Sequence, residues 1–191
     1  MFPSHDRILI YGAQVEQGSY ATSYIPTYGS AVTRNQENPS DLTNLSANGL
    51  LNNYTSTVFI HIKNNIGRSG LTRFLTLYSS TGNNPRILFY SSNSSSQSMN
   101  LQYRVNGQSD VYQFLGVLDY TEEIKFAIVL NGNQFTSYVN GQKKETSAFV
   151  QGANLERLLI DDAGEISHFV SQLVLFPTAL TDQEAIDLTT L

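Results

Sequence analysis

Three Asn-Gly dipeptides, Asn106-Gly107, Asn131-Gly132 and Asn140-Gly141, each close a stretch in which apolar residues recur at every second position. Asn-Gly tolerates positive φ at both central positions of a two-residue hairpin, so this pairing of turn and pattern commits the chain to antiparallel β-structure. Met99, Leu101, Tyr103 and Val105 alternate with Asn100, Gln102, Arg104 and Asn106, while Ile124, Phe126, Ile128 and Leu130 mark the core face of the run that reaches Asn131. Segments 124–130, 134–139 and 142–146 are therefore expected to form a three-strand meander.

The rest of the chain extends this pattern. In 57–63, Val58, Ile60 and Ile62 point one way and Thr57, His61 and Lys63 the other; Phe59 interrupts the polar side, which is expected to be partly covered. Segments 74–78 and 87–90 are short apolar runs bounded by Gly, Asn, Pro and Ser, and 155–160 and 166–176 supply two further strands. One segment reads as helix: Thr181-Asp182-Gln183-Glu184 is a capping box, followed by Ala185, Ile186, Leu188 and Leu191, and Pro177 ends the strand before it. About ten short strands, dense turn signals and one terminal helix predict an all-β fold, a two-sheet antiparallel β-sandwich of jelly-roll type. Residues 91–98 are a Ser/Asn-rich loop. Residues 1–41 read as a strand-and-linker arm with a strand over 7–15, and the sandwich is expected over 42–191.

Composition narrows the function classes. The chain has no cysteine, which removes disulfides, thiolate metal sites and a Cys nucleophile. Only 14% of its 191 residues are charged, against about 25% in average domains, so its surface is built from uncharged polar groups. The net charge is −5 and no basic run exceeds Lys143-Lys144, so nucleic acid is not expected as a partner. The run Ile8-Leu9-Ile10-Tyr11 is too short for a signal sequence or a membrane span, so no membrane insertion is expected. Export would then rely on another signal, or on sequence upstream of Met1.

Two stretches carry a family resemblance. Val139-Asn140-Gly141-Gln142 within the meander, and Leu173-Val174-Leu175-Phe176-Pro177-Thr178-Ala179-Leu180-Thr181-Asp182-Gln183-Glu184, resemble laminin-G-like and concanavalin A-like lectin domains. The resemblance spans 42–191 and implies a jelly roll in which one long strand delivers the chain to a capped helix. Tyr11-Gly12-Ala13-Gln14-Val15-Glu16-Gln17-Gly18-Ser19-Tyr20-Ala21-Thr22-Ser23-Tyr24-Ile25-Pro26-Thr27 resembles a segment of phage tail, fibre and spike proteins and of some bacterial carbohydrate-binding proteins. It implies that the chain continues a larger virion or extracellular protein.

The candidate sites each admit a plainer reading. Two-carboxylate glycan hydrolysis needs both groups facing one sugar. Glu122-Glu123 and Asp161-Asp162 are adjacent pairs, which a strand turns to opposite faces, and no E-x-D-x-x-E run is present. His61 lacks the Q-I-H context of alginate-lyase-like sandwiches, and no G-x-S-x-G, H-E-x-x-H or P-loop occurs. The chain is therefore not expected to be an enzyme. Asp161, Asp162 and Glu165 around Gly164 suit Ca²⁺ as hard oxygen ligands, and equally suit a solvated acidic turn. Without Trp, sugar stacking would fall to Tyr, with Tyr78, Tyr90, Tyr112 and Tyr120 near strand ends; each also suits an ordinary sheet position. Arg68, Arg73, Arg86, Asn83 and Asn84 gather around two loop ends and can hydrogen-bond an acidic or hydroxylated glycan, or simply blunt strand edges. The expected function is a non-catalytic module that attaches to a cell-surface glycan or receptor. The binding site is expected on loops 64–70, 79–86, 91–98 and 161–165, and the working state is a homo-oligomer, a trimer. A purely structural virion module is the alternative, and a polysaccharide-degrading enzyme the third reading.

Overall fold

A computed structural model describes residues 41–52, 54–64, 72–79, 85–92, 98–117, 123–149, 154–160 and 168–191. The chain divides into two compact units, Met1–Glu37 and Asn38–Leu191, and every described residue belongs to the second. The strand expected over 7–15 lies outside the described residues.

Among the described residues, eleven strands form two antiparallel sheets. The six-stranded sheet runs in the order β1 (Asp41–Leu42), β10 (Arg157–Leu159), β3 (Thr72–Tyr78), β4 (Arg86–Ser91), β5 (Ser98–Arg104) and β6 (Val111–Val117). The five-stranded sheet runs β11 (His168–Phe176), β2 (Thr55–Asn64), β7 (Glu123–Asn131), β8 (Gln134–Val139) and β9 (Gln142–Ala148). With the C-terminal helix α1 (Asp182–Thr189), this is the jelly-roll sandwich expected from the sequence.

Period-two alternation sends one face of each sheet into a shared core that includes Val58, Ile60 and Ile62 from β2, Phe89 from β4, Leu101 and Tyr103 from β5, and Phe126, Ile128 and Leu130 from β7. Phe89 and Phe126 stack across the two sheets with ring centroids 4.1 Å apart and planes 13° from parallel. Tyr103 meets Phe135 edge-on, with centroids 5.5 Å apart. Gln113 enters this core fully buried and is satisfied there. Its Oε1 accepts from Ser137 Oγ at 2.6 Å and its Nε2 donates to Ser147 Oγ at 2.9 Å, which ties β6 to β8 and β9.

The turns separate into three cases. Val139 pairs with Gln142 across Asn140 (φ 45) and Gly141 (φ 74), both positive as a type I′ hairpin requires. Asn131 instead pairs with Gln134, so the second hairpin turns on Gly132-Asn133, with positive φ at Gly132 alone (64), the pattern of type II′. Asn106-Gly107 is not a two-residue hairpin. β5 ends at Arg104 and β6 starts at Val111, and only Gly107 has positive φ (77), within a turn closed by Gln108 N donating to Val105 O at 3.2 Å. Strand β6 itself was not expected from the sequence.

The outer face of the five-stranded sheet is closed by α1. Phe59, Ala127, Val129 and Tyr138 form a second apolar layer with Ala185, backed by Val174, Phe176, Leu180, Ile186 and Leu188. Phe59, which interrupted the polar side of β2, is thus accounted for. Both halves of the capping box are present: Thr181 Oγ1 accepts from Glu184 N and Glu184 Oε2 accepts from Thr181 N at 2.8 Å. Tyr138 Oη donates to Asp182 Oδ1 and Lys143 Nζ to Asp182 Oδ2, each at 2.6 Å, which pins the start of the helix to the sheet.

Candidate functional site

Among the described residues, no helix packs on the opposite outer face, that of the six-stranded sheet. Because Leu77, Ile87, Leu101, Tyr103 and Leu158 point inward, their chain neighbours point outward. Register then sets these outward residues in rows across the strands. One row runs Arg157, Tyr78, Arg86, Arg104. The next runs Leu159, Thr76, Leu88, Gln102, Tyr112. A third runs Arg73, Tyr90, Asn100, Phe114.

A hydrogen-bonded network links the rows. Arg86 Nη2 donates to Gln102 Oε1 at 2.8 Å, fixing the amide so that Gln102 Nε2 donates to Tyr112 Oη and to Asp110 Oδ2, both at 2.8 Å. Arg104 Nε donates to Asp110 Oδ1 at 2.9 Å, and Tyr112 Oη donates to Asp110 Oδ2 at 3.1 Å. The Arg104 bond, with lesser help from Tyr112 and Gln102, holds the Asp110 carboxyl below the usual carboxylate range. At the other end of the first row, the Arg157 guanidinium carbon lies 5.1 Å from the centroid of the Tyr78 ring. Burial raises the Tyr90 hydroxyl's pKa and the neighbouring Tyr112 adds to the rise, while Arg86 opposes it.

The four arginines among the described residues, Arg73, Arg86, Arg104 and Arg157, all project from this face, whereas the described lysines, Lys63, Lys125, Lys143 and Lys144, belong to the other sheet. Arg86 and Arg104 are direct cross-strand partners. The Asp110 carboxylate, bonded to Arg104, offsets the like charges in that position. Burial falls from the centre of the face to its β6 edge: Tyr78 is 5% exposed, and Tyr112 and Phe114 are 56% and 61% exposed. Near the centre, the buried Thr76 Oγ1 has no hydrogen-bond partner.

Of the residues singled out in the sequence, Arg73, Tyr78, Arg86, Tyr90 and Tyr112 are brought together here, and on strands. Arg68, Asn83 and Asn84, the acidic group Asp161, Asp162 and Glu165, and Tyr120 lie outside the described residues. Among the described residues no group of three or more His, Asp or Glu is placed to hold a metal. Asn100, Gln102, Arg104, Asp110, Phe114 and Arg157 were not singled out, although the first three are the polar positions of a strand whose alternation was plain. A separate hollow of about 460 Å³ is lined by Ser46, Gly49, Leu51, Asn52, Tyr54 and Pro177, with no charged side chain among them.

No protein-family model matches the sequence, and no curated protein matches it. Solved structures do. A SAP-like pentraxin of Limulus polyphemus is similar with a TM-score of 0.55 at 19% identity, over 71% of this chain and 70% of its own. The Ruminococcus gnavus IT-sialidase CBM40, bound to α2,3-sialyllactose, is similar with a TM-score of 0.53 at 15% identity, over 76% of this chain and 87% of its own. The Trypanosoma rangeli sialidase is similar with a TM-score of 0.56 at 16% identity over 72% of this chain, which corresponds to 22% of the sialidase. At these identities the likeness is one of fold: this chain is a jelly-roll β-sandwich of the kind found in pentraxin and in sialidase CBM40.

Proposed function

We propose that this chain is a non-catalytic glycan-binding attachment module, and that the outer face of its six-stranded sheet, opposite the face covered by α1, is the binding surface. The observation that carries the reading is the gathering of four arginines with Tyr90, Asn100, Tyr112 and Phe114 on one face of a chain whose net charge is −5. Guanidinium groups recognise planar anions by paired hydrogen bonds, and exposed rings offer apolar faces to sugar C–H groups. The Asp110 carboxylate is held ionised and bonded to Arg104, Tyr112 and Gln102. A carboxylate so engaged orients donors and has no proton to deliver at neutral pH, which favours recognition without turnover. The similar CBM40 was solved with sialyllactose bound, which agrees with a glycan ligand.

The resemblance of residues 11–27 to phage tail and fibre proteins supports a virion or extracellular setting and a cell-surface glycan or receptor as partner. A single shallow site of this type has a Kd of order 0.1–1 mM. Useful attachment then needs several copies, so a homo-oligomer, a trimer, is the working state of this reading. The test is a glycan array probed with the chain alone and artificially multimerised, with mass spectrometry of the glycans afterwards. Binding that strengthens on multimerisation with glycans left intact supports the proposal. Released oligosaccharides refute its non-catalytic part, and no binding by either form refutes the whole in favour of a structural module.

A further inference from the structure

We propose that the hollow beside the N-terminal end of β2 is a second binding site, separate from the outer face of the six-stranded sheet, and that it takes a small neutral saccharide. The hollow measures about 460 Å³, within the range of about 300–1,000 Å³ usual for ligand sites. Its described lining, Ser46, Gly49, Leu51, Asn52, Tyr54 and Pro177, carries no charged side chain, so nothing in it favours an ionic ligand. Leu51 and Pro177 give it apolar wall, and Tyr54, 44% exposed, gives it a ring. Ser46 and Asn52 set polar groups beside them. An apolar surface interrupted by hydroxyl and amide groups matches the two kinds of surface on a sugar, its C–H faces and its hydroxyls.

The polar groups of the hollow are both available and held. Asn52 is exposed, and it is fixed through its other groups: Oδ1 accepts from Tyr54 N at 3.1 Å, N donates to Ser56 Oγ at 2.6 Å, and O accepts from Thr55 N at 3.1 Å. Its Nδ2 hydrogens have no acceptor, and the Tyr54 hydroxyl has no hydrogen-bond partner either. The Tyr54 carbonyl accepts from Gly132 N at 2.6 Å, which ties the residue to the β7–β8 hairpin. Ser46 Oγ donates to Glu156 Oε1, and so keeps its lone pairs as acceptors; Ser46 N donates to Glu156 Oε2 at 3.1 Å. Behind them Leu45 is fully buried, and its carbonyl accepts from Leu50 N at 2.9 Å and Leu51 N at 3.2 Å. The shape of the hollow is therefore set before a ligand arrives, with a donor at Asn52, an acceptor at Ser46 and a group of either kind at Tyr54.

Titration of the whole, isotopically labelled chain followed by NMR tests this, read at the Asn52 side-chain amide and at the Ser46 and Tyr54 backbone amides. The probes are methyl glycosides of glucose, galactose, mannose and N-acetylglucosamine, with lactose and cellobiose. Glucuronate and p-cresol are the anionic and apolar comparators. The expected result is that at least one neutral sugar shifts these signals with a Kd of order 1 mM that added salt leaves nearly unchanged. Asn52→Asp keeps an oxygen for Tyr54 N and removes the Nδ2 donors, and should weaken that sugar about tenfold. Tyr54→Ala should weaken it by a similar factor through loss of the ring. Melting curves report folding of each variant, and Asn52→Asp carries the test if Tyr54→Ala unfolds. Signals unmoved by every neutral sugar overturn the proposal. So do glucuronate or p-cresol binding tighter than any neutral sugar, and sugar affinity unaffected by both variants. Shifts confined to Asn100, Tyr112 and Phe114 would place the sugar on the outer face, overturning the second site while supporting the glycan-binding reading.

Discussion

Replacing Gly141 with alanine strains the β8–β9 hairpin in two ways that can be measured apart. Gly141 has φ 74, a conformation that costs an L-residue about 1 kcal/mol more than glycine. The new Cβ also lands 2.9 Å from Thr190 Oγ1 and 3.5 Å from Thr190 Cα. Thr190 does not yield freely: its Oγ1 donates to Ile186 O at 2.8 Å, and its own carbonyl accepts from Lys125 Nζ at 2.7 Å. Moving the hydroxyl breaks a hydrogen bond worth about 0.5–1.5 kcal/mol net. The expected loss is therefore about 2 kcal/mol, which at this chain length lowers the melting temperature by about 4–8 °C. Gly107 supplies the reference, since its φ is 77 but nothing lies within 4 Å of its Cβ position. Gly107→Ala should bear the conformational part alone, about 1 kcal/mol. Urea unfolding followed by circular dichroism measures both. In a Thr190→Ala background the Gly141→Ala loss should fall to the Gly107→Ala value. Equal losses at the two glycines in the native background would refute the contact with the helix end, and an unchanged midpoint for Gly141→Ala would refute the hairpin assignment.

Other expectations follow from single contacts. Phe126→Ala removes the ring stacked on Phe89 at the centre of the sandwich and should cost about 3–5 kcal/mol in urea unfolding; a loss under about 1 kcal/mol would mean that the two sheets do not meet there. Thr57 is fully buried, donates to Thr178 O at 3.1 Å and accepts from Leu180 N at 3.0 Å, so Thr57→Val should cost about 1–3 kcal/mol by stranding both backbone groups; an equally stable variant would contradict the docking of the 178–180 turn. The folded pKa of Asp110 lies below its unfolded value, chiefly through Arg104, so its contribution is present above the unfolded value and is lost as pH falls through the folded one. The melting temperature of the native chain should therefore exceed that of Asp110→Asn from neutral pH down to about pH 5 and converge with it in stronger acid; a gap that widened in acid would refute the ion pair.

How much of this was legible in the sequence depended on the range of the interaction that fixes each part. The meander and the helix are local: Asn140-Gly141 sets its own hairpin, and Thr181 and Glu184 cap their own first turn. Strand β6 was hidden because its faces are inverted. Gln113 points into the core and Tyr112 and Phe114 point out, so the pattern reads as neither strand nor helix until the Ser137 and Ser147 partners of Gln113 are in place. The polar face of β5 was legible as a face, with Asn100, Gln102 and Arg104 at every second residue, but its destination was not. Which strands flank it, and hence that Arg104 stands beside Arg86 and Arg86 beside Tyr78 and Arg157, follows from pairings between segments remote in sequence. Arg73, Tyr78, Arg86 and Tyr90 were singled out as residues near loop ends; they share a site because β3 and β4 are adjacent, with Arg73 opposite Tyr90 and Tyr78 opposite Arg86.

The two outer faces divide the requirements of the fold. One is sealed by α1 over Phe59, Ala127 and Val129; its lysines engage single acceptors, Lys63 with Glu123, Lys143 with Asp182 and Lys125 with the Thr190 carbonyl. A flexible ammonium suffices for such contacts. The other face concentrates arginine, sets two guanidinium groups side by side, and buries a threonine hydroxyl without a partner. The buried hydroxyl opposes folding, whereas Asp110 offsets the paired guanidinium groups through its bond to Arg104. What the face gains is fixed geometry: Arg86 holds Gln102, Gln102 holds Tyr112, and Asp110 gathers Arg104 and Tyr112. Side chains held in place this way would lose little entropy on taking up the proposed ligand.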